Sequence, residues 1–254
     1  MKIKYKKIKH KDKKQLKISF CTTCMGRLYH LKETLPSNLE KSNSYFNLEF
    51  IILNYNSFDG LEDWVKKNMM KHIKTGKIVY YKTIEPKYFK MSHSKNIAHR
   101  LGTGDLLFNL DADVFINKEI CHYINKMFKK DKLLIARNSG RICLFSEFFH
   151  KVRGYEEKMI GWGQDDKDFY WRCITFLGMH GEEHLHEMTH KIPHGRKETM
   201  SNFDPRFKNL GQTRRYNRKI AKSRTKESWK DINKEGYGCG TVYKNFSHIP
   251  IVLT

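Results

Sequence analysis

Residues 48–55 read Leu-Glu-Phe-Ile-Ile-Leu-Asn-Tyr, a nearly unbroken apolar run. A strand with one wet face alternates apolar and polar residues, whereas a run this continuous is the pattern of a strand covered on both faces. Such strands belong to parallel sheets flanked by helices. The neighbouring sequence extends the signal in both directions. Leu16–Thr22 is a short β-rich run, and Leu28–Leu39 spaces its apolar residues at helical intervals. Leu61–Ile73 is helical in pattern and stops at Gly76, and Lys77–Ile84 reads as a strand. Ser92–Leu101 is a helix ending at Gly102 and Gly104. Asp105–Leu110 is a strand, Glu119–Phe128 a helix and Lys132–Ala136 a further strand. This alternation predicts an α/β fold, Rossmann-like, with a mostly parallel sheet and helices on both faces.

The 254 residues, 39% of them hydrophobic, suffice for one packed core. With 5 Pro and 16 Gly the chain is neither fibrous nor disordered in composition. No apolar run reaches the ~20 residues of a membrane span. The N-terminal MKIKYKKIKHKDKKQLK is basic without the apolar core of a signal peptide, so a cytoplasmic protein is expected. Six scattered cysteines read as reduced thiols, and Cys21-Thr22-Thr23-Cys24 is a lone CxxC without the second pair a zinc site needs. Against 27 Asp+Glu stand 49 Lys+Arg, a net charge of +22. That excess attracts anions, whether nucleic acid, nucleotide phosphates or an anionic membrane surface, and does not choose among them. Residues 1–15 are expected to form a basic arm and 16–201 one domain. From about Asn202 periodicity fades and Arg214, Arg215, Arg218, Lys219, Lys222 and Arg224 cluster, so 202–254 is expected to be a basic peripheral extension.

Three stretches carry chemistry. The first is the apolar strand from Asp105, which ends in Asp111-Ala112-Asp113. Open α/β sheets place ligands beyond the carboxyl ends of their strands. Two carboxylates two residues apart point the same way in extended geometry and suit Mn²⁺ or Mg²⁺ together with a diphosphate. Acids capping the next helix would look the same. The second stretch is Gly161-Trp162-Gly163-Gln164-Asp165-Asp166-Lys167-Asp168, ahead of an apolar helix that stops at Gly178. Capping alone can account for Asp165 and Asp168, since acids in a first helical turn gain about 0.3–1 kcal/mol from the dipole. A tryptophan between two glycines puts a flat ring on a flexible loop, suited to stacking on a sugar. The third stretch holds His180, His184, His186, His190 and His194. Its His186-Glu187-Met188-Thr189-His190 satisfies HExxH, the helical motif of zinc proteases, but glycines upstream and Pro193 downstream leave little room for a helix. A single imidazole from this segment completing the aspartate site is the more economical reading.

Together these segments resemble a GT-A glycosyltransferase, most closely the beta-1,4-galactosyltransferase family and related bacterial polymerases. Four blocks in order carry the resemblance over roughly residues 18–207: Thr22–Arg27 with His30-Leu31-Lys32; Ser94–Ala98 with Gly104-Asp105 and Asp111-Ala112-Asp113; Gly161–Asp168; and His194-Gly195-Arg196-Lys197. The resemblance implies an inverting transfer of a galactose-, N-acetylgalactosamine- or glucose-type hexose from a UDP-sugar to a carbohydrate acceptor. It implies Asp113 and His194 as metal ligands, with Asp111 at the metal or ribose. Thr23, Arg27 and Lys95 would face the nucleotide, Trp162 and Asp165 the acceptor, and Asp166 would be the catalytic base.

Asp165 stands where that family usually has Glu, one methylene longer, which leaves the acceptor open. The family's Golgi members carry a membrane anchor and disulfides that are not evident in this sequence, a departure that leads to the expectation of a cytoplasmic enzyme. The charge of its basic arm and tail admits peripheral contact with anionic lipid, and lysine-rich composition alone would give the same charge. The charge also admits a nucleic-acid-binding protein. However, acids at the strand end repel a phosphate backbone and no zinc-finger or ribonucleoprotein signature is present, so nucleic acid is not an expected partner.

Overall fold

The computed structural model describes residues 15–128, 133–135, 140–182, 184–207, 209–224 and 228–254. Apart from residue 15, the expected basic arm lies outside them. The first half runs β1 (Ile18–Cys24), α1 (Leu28–Lys41), β2 (Leu48–Tyr55), α2 (Leu61–Asn68), α3 (Met70–Lys74), β3 (Ile78–Thr83), α4 (Met91–Leu101) and β4 (Leu106–Asn109). The strands lie side by side in the order β3-β2-β1-β4, all parallel. Every residue of β2 is buried, as its sequence demands. Right-handed crossovers put α1, α2 and α3 on one face of the sheet and α4, which returns the chain from β3 to β4, on the other. Phe20 stacks on Phe50 at 4.9 Å and meets Phe108 at 5.3 Å, tying three adjacent strands together at the centre of the core. One expected helix is two. Met69 (φ −113°, ψ 1°) leaves helical geometry between α2 and α3 while staying buried, so a core anchor bends the chain without Gly or Pro.

The second half contains β5 (Val114–Ile116), α5 (Ile120–Phe128), β6 (Leu133–Ile135), β7 (Ile142–Phe145), α6 (Ser146–Lys151), α7 (Asp165–Leu177), β8 (Gly181–Glu182), β9 (Thr189–Lys191), α8 (Arg196–Met200), α9 (Leu210–Lys222), β10 (Gly240–Lys244) and β11 (Pro250–Leu253). Among the described residues the main sheet has nine strands, β11-β10-β3-β2-β1-β4-β7-β6-β8. Its centre is parallel, and β7 and β10 join it antiparallel. β5 and β9 form a separate antiparallel pair.

Residues 202–254 add β10 and β11 to the main sheet and lay α9 against the loop ahead of α7. Polar contacts do much of the attaching. Asn233 donates to the Arg153 and Tyr155 carbonyls at 2.7 Å, and Arg100 donates to the Tyr237 carbonyl at 2.6 Å. This is why apolar periodicity fades there although the segment is integral to the sheet.

Cys21 and Cys24 both lie in β1, three residues apart, so their side chains leave opposite faces of the strand and cannot share a metal. Burial pushes the Cys24 thiol up to about 12. Among the described residues no helix is long and apolar enough to cross a membrane.

Candidate active site

The backbone at Asp111–Asp113 is held from several sides. Thr22 Oγ1 donates to the Leu110 carbonyl at 2.7 Å, and Thr34 Oγ1 of α1 donates to the Ala112 carbonyl at 2.7 Å. Asn38 of the same helix donates to the Val114 carbonyl and accepts from the Ile116 amide, both at 2.9 Å. Thr34 and Asn38 are buried polar residues on the inner face of an otherwise amphipathic helix, and these bonds satisfy them. The aspartates themselves lie in a turn, closed by the Val114 amide on the Asp111 carbonyl at 3.1 Å, and not in the extended strand expected. The turn directs the two carboxylates to different partners. Asp111 accepts from Asn109 at 3.2 Å, and Asp113 meets His194.

The β5–β9 ladder brings His194 there. β5 starts directly after Asp113, Val114 pairs with Lys191, and the Ile192 amide donates to the Asp113 carbonyl at 2.8 Å. Three residues beyond Lys191, His194 Nε2 lies 3.0 Å from Asp113 Oδ2. The HExxH reading fails on the same ladder. His186 ends a single 3₁₀ turn and His190 sits in β9 stacked on Phe115, so no helical face carries both. Among the described residues no three His, Cys, Asp or Glu side chains gather as a ready metal site.

A second cluster forms where α7 begins. Lys95 of α4 is buried and donates to Asp165 Oδ2 at 2.8 Å and to Asp166 Oδ1 at 2.7 Å, with its ammonium 4.9 Å from the centroid of the Tyr155 ring. Burial, with Asp165 beside it and only partly offset by Lys95, pushes the Asp166 carboxyl up to about 7. Burial also raises Asp111, Lys95 opposing and Asp113 adding to it. The site closes tightly on Asp166: a Cβ at Gly140 (φ +70°) would lie 2.8 Å from Asp166 Oδ2. Asp168 stands apart from the chemistry. It pairs with the fully buried Arg172 at 2.9 Å and with Arg224, and so fastens α7 to the domain.

The Trp162 loop is pinned, not flexible. Gly161, Gly163 and Gln164 all have positive φ. Asn217 of α9 donates to the Ile160 carbonyl at 2.8 Å and the Gly163 carbonyl at 2.7 Å, and accepts from the Ile160 amide at 2.9 Å. Thr213 donates to the Trp162 carbonyl at 3.0 Å. The Arg214 guanidinium lies over the Trp162 ring, 5.9 Å from its centroid.

The other residues expected at the nucleotide are differently engaged. Thr23 is half-buried near the end of β1. Arg27, at the start of α1, binds Glu198 of α8 at 2.5 Å, and Glu198 also takes the Tyr29 hydroxyl. Lys95 lies with the acid pair described above. Beside the end of β1 a cleft of about 290 Å³ is lined by Met25, Phe58, Lys87 and Tyr88 together with Asn202 and Phe203. A larger cleft of about 520 Å³ lies between α1 and α3 and touches none of these residues.

One residue not singled out from the sequence joins the set. Arg141, just ahead of β7, is buried, its Nε has no hydrogen-bond partner, and Asp111 and Asp113 are its electrostatic neighbours without forming an ion pair with it. A buried guanidinium nitrogen left unpaired is costly unless an acceptor, a water or an anion, completes it.

Comparison with known proteins bears on this arrangement. Residues 132–196, about a quarter of the chain, match the sequence model described as the N-terminal domain of galactosyltransferase. The mannosyltransferase PcManGT from Pyrobaculum calidifontis, solved with GDP-Man and Mn²⁺, is similar with a TM-score of 0.55 at 14% identity, over 66% of this chain and 54% of that one. This chain thus spans about half the length of that structure. The catalytic domain of Drosophila beta1,4galactosyltransferase 7, in complex with xylobiose, gives 0.53 at 12% identity, over 83% of this chain and 81% of that one. GalNAc-T7 with UDP, GalNAc and Mn²⁺ gives 0.52 at 13%, over 64% and 42%. No curated protein sequence matches the chain. At such identities the likeness is one of fold, and the chain has the GT-A glycosyltransferase fold.

Proposed function

We propose that the chain is an inverting, metal-dependent glycosyltransferase that moves a hexose of the galactose, N-acetylgalactosamine or glucose type from a UDP-sugar to a carbohydrate acceptor. One observation carries the reading: an Asp113–His194 contact of 3.0 Å and a Lys95-bound Asp165–Asp166 pair at one end of the sheet, linked by Asp111, which acts electrostatically on both Lys95 and Asp166.

The residues fit a divalent ion shared with substrate. One carboxylate and one imidazole, with Asp111 nearby, are too few for a resident ion. They suit Mn²⁺ or Mg²⁺, which complete their coordination with water and diphosphate oxygens. The unpaired Arg141 Nε leaves a donor that a diphosphate oxygen can fill at the same point. When bound, the ion would neutralise the charge of the departing diphosphate. The chain's own groups do the rest in this reading. Trp162 and Asp165 hold the acceptor sugar. Asp166 takes the proton of the acceptor hydroxyl as that oxygen bonds to the anomeric carbon and the bond to the diphosphate breaks on the opposite side. Thr23, Arg27 and Arg141 bind the nucleotide and its phosphates. Lys95 keeps Asp165 and Asp166 together, a part more consistent with its burial than direct contact with the nucleotide.

Calorimetric titration of UDP with Mn²⁺ and then with EDTA, on wild type and Asp113→Ala, tests the donor half. Binding that requires both the metal and Asp113 is expected. Wild-type binding of UDP as tight in EDTA as in Mn²⁺ would remove the metal role. A panel of UDP-sugars then identifies the hexose, and the anomeric configuration of the product tests inversion.

A further inference from the structure

α9 carries a surface that the transfer reaction does not use. At 100° per residue, Thr213 and Asn217 face the Trp162 loop. Arg214, Arg218, Lys222, Arg215 and Lys219 follow one another around the opposite side over an arc of about 140°. All five are exposed, and none has an ion-pair partner among the described residues. From Pro205 to Arg224 the sequence holds no Asp or Glu, so the i,i+4 acids that usually offset a solvated basic helix are missing.

The strip continues directly from the acceptor residue. At its near edge Arg214 covers the Trp162 ring. Thr213 and Asn217 grip three carbonyls of the Trp162 loop, which fixes the cations relative to that ring. From Arg214 to Lys222 the strip runs about 12 Å along the helix. Resting on the reading of Trp162 as the acceptor platform, we infer that the acceptor is an anionic glycan whose chain leaves Trp162 along α9, its acidic groups held by Arg215, Arg218, Lys219 and Lys222. The strip is one helix wide and has no apolar residue within its arc to enter a bilayer. That shape matches a chain of repeating acidic groups better than a plane of lipid.

Full-length protein is titrated with a hyaluronan hexasaccharide, which has a carboxylate on every second sugar, and with neutral chitohexaose. Arg215→Gln/Arg218→Gln/Lys219→Gln and Trp162→Ala are compared with wild type. UDP with Mn²⁺ reports the donor site, and phosphatidylserine vesicles and duplex DNA are the rival polyanions. Wild type should bind the acidic glycan the more tightly. The triple variant should lose about ten-fold for it, as three exposed ion pairs of ordinary strength supply together. The same variant should keep wild-type binding of chitohexaose and UDP, and Trp162→Ala should weaken both glycans. At about 1 M salt, where the screening length falls to about 3 Å, the preference should vanish.

Undiminished hyaluronan binding by the triple variant or by Trp162→Ala overturns the inference. So does a wild type without preference for the acidic glycan, or a loss confined to vesicles or DNA. Absence of UDP binding in wild type, with both glycan results as expected, instead overturns the transferase reading and with it the role of the strip as an acceptor site.

Discussion

Replacing Lys95 by methionine tests the acid pair at its centre. Methionine keeps the length and apolar bulk of the stem and removes the charge. The lysine side chain is 4% exposed and bridges Asp165 and Asp166, themselves 7% and 31% exposed. Without the ammonium, two carboxylates share a site walled by Tyr155 and Gly140. Removing one partner of a buried pair costs about 3–5 kcal/mol, and the partial exposure of Asp166 favours the lower figure. The protein can relieve the repulsion by keeping a proton on Asp166, whose carboxyl is already at about 7.

A base must be ionised, so the wild-type rate is expected to rise with pH through about 7 and level off above it. At about 1.36 kcal/mol per unit, 3 kcal/mol is a further rise of about two units. The ionised fraction at pH 7 then falls from about a half to about one in a hundred, and transfer slows about fifty-fold. Initial rates of UDP release at saturating donor, Mn²⁺ and acceptor, followed across pH, give the midpoint. It should move alkaline in Lys95→Met, with activity recovering at high pH. A variant that folds, binds UDP and titrates at the wild-type midpoint would refute the account of Lys95.

Asp166→Asn should abolish transfer, keep UDP binding and stabilise the protein. Because folding raises this carboxyl from 3.8 to about 7, its contribution is full below about pH 4 and is lost as pH rises through 7. Melting temperatures should therefore favour the variant at pH 8 and converge with wild type near pH 4. Arg141→Gln is expected to weaken UDP about ten-fold, since hydrogen bonds to charged groups contribute about 1.5–3 kcal/mol, and to leave uridine binding unchanged. Equal loss for both ligands would mean that Arg141 only shapes the site. Asn217→Ala strips partners from the Ile160 amide and carbonyl and the Gly163 carbonyl, which should cost about 1–3 kcal/mol. Calorimetric melting reads that cost, and acceptor KM should rise while UDP affinity holds.

The parallel centre of the fold was legible because β2 buries both faces, which calls for a mostly apolar run. Its two buried polar residues, Glu49 and Asn54, are satisfied by Ser19 and Lys17 and by Tyr80. The end of α7 at Gly178 was legible from the left-handed cap that a glycine supplies, whereas the helix begins at Asp165, four residues ahead of the apolar run from Phe169, behind a Gln164 that makes no side-chain cap. That an imidazole of the 180–194 segment completes the aspartate site was legible in the residues, but its identity as His194, 81 residues from Asp113, entered only through resemblance, since no local periodicity encodes the β5–β9 ladder. The HExxH match fails on local grounds and the structure agrees: five letters imply a helix only where the chain has room for one, and His190 lies in β9. Lys95 was legible as a residue of interest and not as the partner of Asp165 and Asp166, because its position on α4 says nothing about which carboxylates lie across from it.

The missed residues share a physical cause. A glycine-rich loop such as 161–163 has backbone groups without a ladder, and buried carbonyls must find donors. Apolar side chains cannot supply them, so the elements that hold such a loop are polar and look like solvated surface in a sequence. Thr213 and Asn217 are four residues apart among arginines and lysines, and both are buried on the carbonyls of the Trp162 loop. Thr34 and Asn38 repeat the spacing on α1 against the carbonyls of Ala112 and Val114. In both cases a pair of short polar side chains at i and i+4 on a helix marks the strut beneath a candidate ligand-binding loop. Apolar periodicity locates the sheet, while small polar residues at helical spacing locate what holds the site on it.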